Sequence, residues 1–181
     1  MRILSVLITL VCLAVCVFGQ QNLRIGSPAP VFATQDLDGN SVDLSTLRGR
    51  VVVVSFWSTR CGVCDDEIPK LNRLAHRFKD KDVVFLGLTM ENRTRVESYL
   101  SRQPFNFNIL TDSFGIVLRY ADRDHRGYVN ISFPAHYIVD QAGNIAMRTS
   151  GYARMSSIES NLSRLLSKQP SAASMAVGST R

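Results

Sequence analysis

Cysteine is scarce in this 181-residue chain: there are four, and Cys12 and Cys16 lie inside an apolar N-terminal run. That leaves Cys61 and Cys64, too close together to clip distant segments, which excludes a disulfide-framework fold. No second Cys-x-x-Cys and no His-x-x-x-His follows, so a zinc site is at best half supplied. Lys and Arg are mixed with acids, as in Lys79-Asp80-Lys81-Asp82, and no basic cluster is interleaved with aromatics. The net charge of +6 therefore reads as a solvated basic surface and gives nucleic-acid binding no support. No apolar run reaches the roughly 18–20 residues that span a bilayer comfortably. There is no internal repeat.

What is present is the composition of one globular domain, 45% hydrophobic and 20% charged. The chain opens with Met1-Arg2, an uncharged run from Ile3 to Phe18, and Gly19-Gln20-Gln21. One early charge, a short apolar stretch and a small residue after it make residues 1–19 a secretory signal peptide, with Val17 and Gly19 suiting a cut. An uncleaved membrane anchor is the alternative. Lipidation at Cys16 is a third, disfavoured by bulky Val15. Residues 24–168 form the expected domain, and the small, polar stretch 169–181 is expected to be disordered.

Within the domain, Asp36-Leu37-Asp38-Gly39-Asn40 reads as a turn between two short extended pieces. Val51 to Trp57 is an apolar run broken only by Ser55, the pattern of a strand buried on both faces. A helix is expected from about Cys61 to Phe78, with Ile68, Leu71, Leu74, Ala75 and Phe78 on one face and Pro69 kinking it. Val83–Leu88 is a second buried strand. Helices at 94–101 and 114–120 flank a short strand at 107–110. A hairpin turns at Asp140-Gln141-Ala142-Gly143-Asn144, and Ile158, Leu162, Leu165 and Leu166 mark a last helix. Strands alternating with helices give an α/β sandwich.

The chemistry gathers where the first buried strand runs into its helix, at Trp57-Ser58-Thr59-Arg60-Cys61-Gly62-Val63-Cys64. A cysteine at such a junction meets unpaired backbone N–H groups and the positive end of the helix dipole, and both favour thiolate. Arg60 adds a cation beside it. Cys61 is the expected nucleophile, and Cys64, one turn on, is placed to attack the mixed disulfide that Cys61 forms.

This motif resembles the F-W-x-x-W-C-x-x-C of TlpA/ResA-like thioredoxin-fold proteins. The likeness runs from Gly26-Ser27-Pro28-Ala29-Pro30 through Asp38-Gly39-Asn40, Leu47-Arg48-Gly49 and Cys61–Pro69 to Phe133-Pro134 and Asp140-Gln141-Ala142-Gly143. It implies a thioredoxin-like fold, a central mixed sheet flanked by helices, with an N-terminal extension and a central insertion. It also implies exported, periplasmic or envelope thiol–disulfide exchange, for instance in cytochrome c maturation. The partners it implies are disulfide-bonded or dithiol proteins and a membrane electron donor, with a membrane tether through the N-terminus as a further possibility and no bound cofactor or metal.

Carried over singly, Cys61 and Cys64 match the redox-active pair, and Glu67 matches an acid that tunes thiol ionisation. Residues i and i+3 share a helix face, so Glu67 can sit beneath Cys64 and pass its proton. Pro134 matches a cis-proline facing the cysteines. Phe133 then offers backbone groups to an extended substrate, and Trp57 matches the family tryptophan. The departures are Arg60 in place of Trp at the rim, Gly62-Val63 without a proline between the cysteines, and Ala135-His136 in place of two threonines. His136 shares a strand face with Pro134; it is either a hydrogen-bonded core histidine or a group that approaches Cys64 or a metal. Segment 121–128 looks longer than the family connection and reads as a solvated loop or a partner-binding rim.

Three rivals fit less well. A DsbA-type oxidase needs a helical domain that the 69 residues between Cys64 and Pro134 cannot hold. A peroxiredoxin needs a P-x-x-x-T-x-x-C pattern, and Thr59 is one position off. A Sco-like copper chaperone would use two cysteines and a histidine, but it spaces the cysteines by three.

Overall fold

A computed structural model describes residues 23–167. The proposed leader, with Cys12 and Cys16, and the 169–181 tail lie outside them. The elements run β1 (Ala33–Gln35), β2 (Ser41–Asp43), a 3-10 turn (Leu44–Leu47), β3 (Val51–Phe56), α1 (Gly62–Arg77), β4 (Val83–Leu88), α2 (Arg93–Leu100), β5 (Asn108–Leu110), α3 (Phe114–Tyr120), β6 (Asp122–Arg123), β7 (Val129–Asn130), β8 (Ala135–Val139), β9 (Ile145–Ser150) and α4 (Met155–Ser167). Five strands form one mixed sheet in the order β5-β4-β3-β8-β9, flanked by the four helices. The fold is thioredoxin-like, as the resemblance implied.

Strand β3 lies at the centre, parallel to β4 and antiparallel to β8. Its alternation sorts the two cores. Val52, Val54 and Phe56 point towards Phe32, Leu44, Val117 and Tyr120, while Val51 and Val53 pack on Leu71 and Leu74 of α1, on Phe78 at its C-cap, and on Ile158 and Leu162 of α4. Ser55 belongs to the second set by the same period of two, so a hydroxyl faces the helices from an otherwise apolar row. Burying a leucine such as Leu162 completely stabilises the domain by about 2–3 kcal/mol.

Helix α1 continues across Pro69. A proline there leaves the carbonyl four residues back, that of Asp65, without its helical donor. The Gln103 side-chain amide supplies one at 3.0 Å.

Segment 26–29 stitches the N-terminal extension to the sheet. The Gly26 N–H donates to the Ile145 carbonyl, the Ile145 N–H to Ser27, and the Ala29 N–H to Gly143. These bonds protect the outer edge at the start of β9, where Ile145 pairs with Val139. Segment 121–128, read as a solvated loop or a partner-binding rim, holds the first strand and the turn of a small antiparallel ribbon, with Asp122 opposite Asn130 and Arg123 opposite Val129. Two-residue strands are too short to show period-two alternation, so the sequence carries no sign of them. The Asp124 carboxylate closes the turn by accepting from the Arg126 and Tyr128 N–H groups.

Among the described residues no helix is long and apolar enough to cross a membrane.

Candidate active site

Cys61 is the N-cap of α1, with extended backbone, and its sulfur accepts a hydrogen bond from the Cys64 N–H at 3.1 Å. It is bonded to Cys64 as a disulfide, with the two Cα atoms 5.2 Å apart. The two sulfurs are unlike in setting. Cys61 is partly exposed, whereas Cys64 is 1% exposed and packs with Trp57, Ile68, Val96, Tyr99 and Ile109. Only the first sulfur of the pair is open to an incoming partner.

A cavity of about 270 Å³ beside Cys61 is lined by Trp57, Ser58, Arg60, Thr89, Met90, Glu91 and Phe133. It brings together the three residues that the sequence singled out for substrate contact. Arg60 is exposed, and Phe133 is partly buried. Trp57 is 2% exposed, with its ring 5.2 Å from that of Tyr99 and 4.6 Å from that of Phe105. It contributes a wall more than a surface. The peptide bond between Phe133 and Pro134 is cis.

Behind the cysteines, Glu67 is buried beside His136. The carboxylate Oε2 lies 2.9 Å from His136 Nε2, and Oε1 accepts the Ala153 N–H at 2.7 Å. The other ring nitrogen, Nδ1, is 2.9 Å from Ser55 Oγ. Ser55 and His136 stand directly opposite each other across the β3–β8 ladder. Both ring nitrogens of His136 are thus engaged, by Ser55 and Glu67 and not by the thiols. His125 lies in the β6–β7 turn. Among the described residues no group of three or more His, Cys, Asp or Glu side chains could hold a metal ion.

A second carboxylate, not singled out by the sequence, organises the approach to Cys61. Glu91 accepts from the Thr59 N–H (2.8 Å), Thr59 Oγ1 (2.8 Å), Ser58 Oγ (3.1 Å) and Thr89 Oγ1 (3.1 Å). Burial pushes its carboxyl up, but these bonds together outweigh burial and hold it below its ordinary value. Arg95 supports the same knot, with Nε 3.1 Å from Thr59 Oγ1. The available signal was topological. Parallel strands β3 and β4 end side by side, Phe56 opposite Leu88, so the loops that follow them must meet. Asp65 is exposed and accepts a hydrogen bond from the Tyr99 hydroxyl. Burial and this carboxylate together push the Tyr99 phenol well above its ordinary value.

A thioredoxin-like sheet with an open and a buried cysteine one turn apart at a helix start defines the class: a thiol–disulfide oxidoreductase. The chain belongs to the AhpC/TSA family, whose model matches residues 25–148. It is similar to the thiol–disulfide oxidoreductase ResA of Geobacillus kaustophilus, at 30% identity over 77% of each chain. ResA of Bacillus thuringiensis is 25% identical over 81% of each chain. In structure the chain is similar to a putative protein disulfide isomerase from Bacteroides thetaiotaomicron. That likeness has a TM-score of 0.71 and 26% identity, covering 81% of this chain and 92% of the other.

Proposed function

We propose that this chain is an exported protein that reduces disulfides in proteins of the cell envelope, resupplied with electrons by a membrane donor. The observation that carries the exchange chemistry is the asymmetry of the pair: an accessible Cys61 at a helix N-terminus, backed by a buried Cys64. Cys61 attacks the substrate disulfide, and Cys64 then attacks the Cys61 sulfur and releases the reduced substrate. Arg60 and the first-turn N–H groups favour the Cys61 thiolate. Phe133 and Pro134, with Trp57 behind them, receive the extended substrate chain, and Glu67 serves Cys64. Residues 1–19 act as the export signal or as an anchor, ahead of a domain spanning 24–168.

The reducing direction, the envelope location and a role such as cytochrome c maturation rest on the resemblance to TlpA/ResA-like proteins and on the N-terminal leader. The deciding measurement is the Cys61/Cys64 potential against glutathione. A value near roughly −270 mV fits a reductase, and one near roughly −120 mV would make the protein an oxidant.

A further inference from the structure

A buried acid next to a buried base demands a use, because each alone would be expensive to place out of water. Glu67 and His136 are both 1% exposed, and Ser55 is 3% exposed. The three form one line of contacts through the imidazole ring, Ser55 Oγ to His136 Nδ1 and His136 Nε2 to Glu67 Oε2, both 2.9 Å. The line ends one helical turn from Cys64.

Its chemistry is constrained atom by atom. Oε1 of Glu67 is committed as an acceptor, because its partner is the Ala153 N–H. A proton held on Glu67 therefore sits on Oε2, facing the imidazole. Oε2 and Nε2 can pass that proton across their contact without turning either side chain. Ser55 makes the passage reversible, since a hydroxyl can donate to Nδ1 or accept from it. With the carboxylate ionised and the ring neutral at Nδ1, Ser55 donates. Once the pair has gained a proton, Nδ1 carries hydrogen and Ser55 accepts. No hydrogen bond is lost in either state. The backbone N–H of His136 donates to Thr149 Oγ1, which fixes the strand that carries the ring.

We infer that Glu67 and His136 act together as one proton-holding unit for Cys64, with His136 as its positioning residue. The inference deepens the disulfide-exchange reading and rests on it. In the resolving step Cys64 gives its thiol proton to the pair, and its thiolate attacks the Cys61 sulfur of the mixed disulfide. The Cys61–Cys64 bond forms as the bond from Cys61 to the substrate sulfur breaks. Two electrons have then passed to the substrate. Its departing thiolate is protonated, and the pair gives up its proton. A lone buried carboxylate would become charged and neutral by turns in an apolar wall; the imidazole shares that change.

Other titratable groups near the pair are few. Cys64 and Lys70 lie three residues either side of Glu67 on α1, and the Lys70 ammonium sits over the Tyr152 ring, beside the Ala153 segment. From β9, Arg148 faces the other side of the sheet, with Tyr137 and Asp122. From β3 only Ser55 reaches the pair.

The test needs no variant at first. ¹⁵N shifts of the His136 ring are recorded in the oxidised and the reduced protein from about pH 5 to about pH 9. The expected result is a Nδ1 and Nε2 pattern that differs between the two redox states and changes with pH. A single neutral tautomer, unmoved by pH and the same in both states, overturns the relay. The second arm measures the resolving rate of a preformed Cys61 mixed disulfide with a small thiol against pH, for wild type, Glu67→Gln, His136→Leu and His136→Gln. Glu67→Gln and His136→Leu should each slow resolution at neutral pH about 10-fold or more. They should shift its pH profile in the same direction, and the double variant should be no worse than either. His136→Gln, which keeps a donor towards Glu67 but holds no proton, should fold like wild type and still be slow. Rates at the wild-type level for His136→Gln sink the relay alone. No resolution in the wild-type protein sinks the exchange reading and the relay with it.

Discussion

Replacing Glu91 with Ala should cost about 2–3 kcal/mol of folding stability at neutral pH. The figure comes from what the carboxylate holds. Of its four donors, the Ser58, Thr59 and Thr89 hydroxyls can turn to water, but the Thr59 N–H is fixed by the chain. Bonds to an ionised group contribute roughly 1.5–3 kcal/mol each, and partial solvation of this one keeps the sum near a single strong bond plus part of another. For a domain of this size the loss should appear as a fall of roughly 5–10 °C in Tm. The effect must also depend on pH, with a definite sign. Because the carboxyl is held below its ordinary value of 4.5, its stabilisation is complete above that pH and disappears as pH falls through the lowered value. Urea unfolding of wild type and Glu91→Ala at a series of pH values should therefore give curves that converge on acidification. The stretch before Cys61 should be looser in the variant, so its amides should exchange faster with deuterium. A stability difference that is the same in acid as at neutral pH, or one under about 0.5 kcal/mol, would refute the reasoning.

Cys64→Ser should accumulate mixed disulfides with protein substrates, visible on non-reducing gels, while Cys61→Ser should accumulate few; the reverse pattern would exchange their roles. Arg60→Gln should move the iodoacetamide reactivity profile of Cys61 modestly to higher pH, and added salt should then matter less, because the exposed cation that it screens is gone. Identical profiles at low salt would make Arg60 a contact for substrate only. Gly143→Ala should cost about 1–2 kcal/mol, since its φ is +84° and the Arg48 guanidinium occupies the place of the new methyl group. Exchange rates at Cys61 should stay unchanged in that variant, so a slowed thiol reaction would reveal coupling between opposite ends of the sheet.

The strands and helices were legible where periodicity was strong. Val83–Leu88 and Phe114–Tyr120 fall where the pattern put them, and α1 begins one residue past Cys61 because Cys61 is its cap. The cysteine junction was legible because buried strand, motif and helix follow one another directly. His136 was harder. Its strand face could be read from its spacing to Pro134, but its partner depended on register. Ser55, visible only as a break in an apolar run, comes to face it because β3 and β8 pair antiparallel at that residue. Glu91 was hidden for a similar reason: three of its four donors come from Ser58 and Thr59, 33 and 32 residues earlier in the chain, and only the parallel pairing of β3 and β4 makes them neighbours. Local pattern reports which face a residue takes, and pairing decides whom it meets.

The stitching of segment 26–29 to Ile145 sets a polarity for the whole molecule. Strands β3 and β9 run in the same direction, since each is antiparallel to β8. The chain is fastened where both begin, and Cys61 lies past the point where β3 finishes. Six residues of strand put those two poles roughly 20 Å apart. Segment 26–29 is therefore fastened at the far pole from the reacting sulfur, while the Leu23 carbonyl accepts from Arg148, further along β9. The extension thus closes the base of the sheet, and the pole that carries Cys61 is built by the loops that follow β3 and β4.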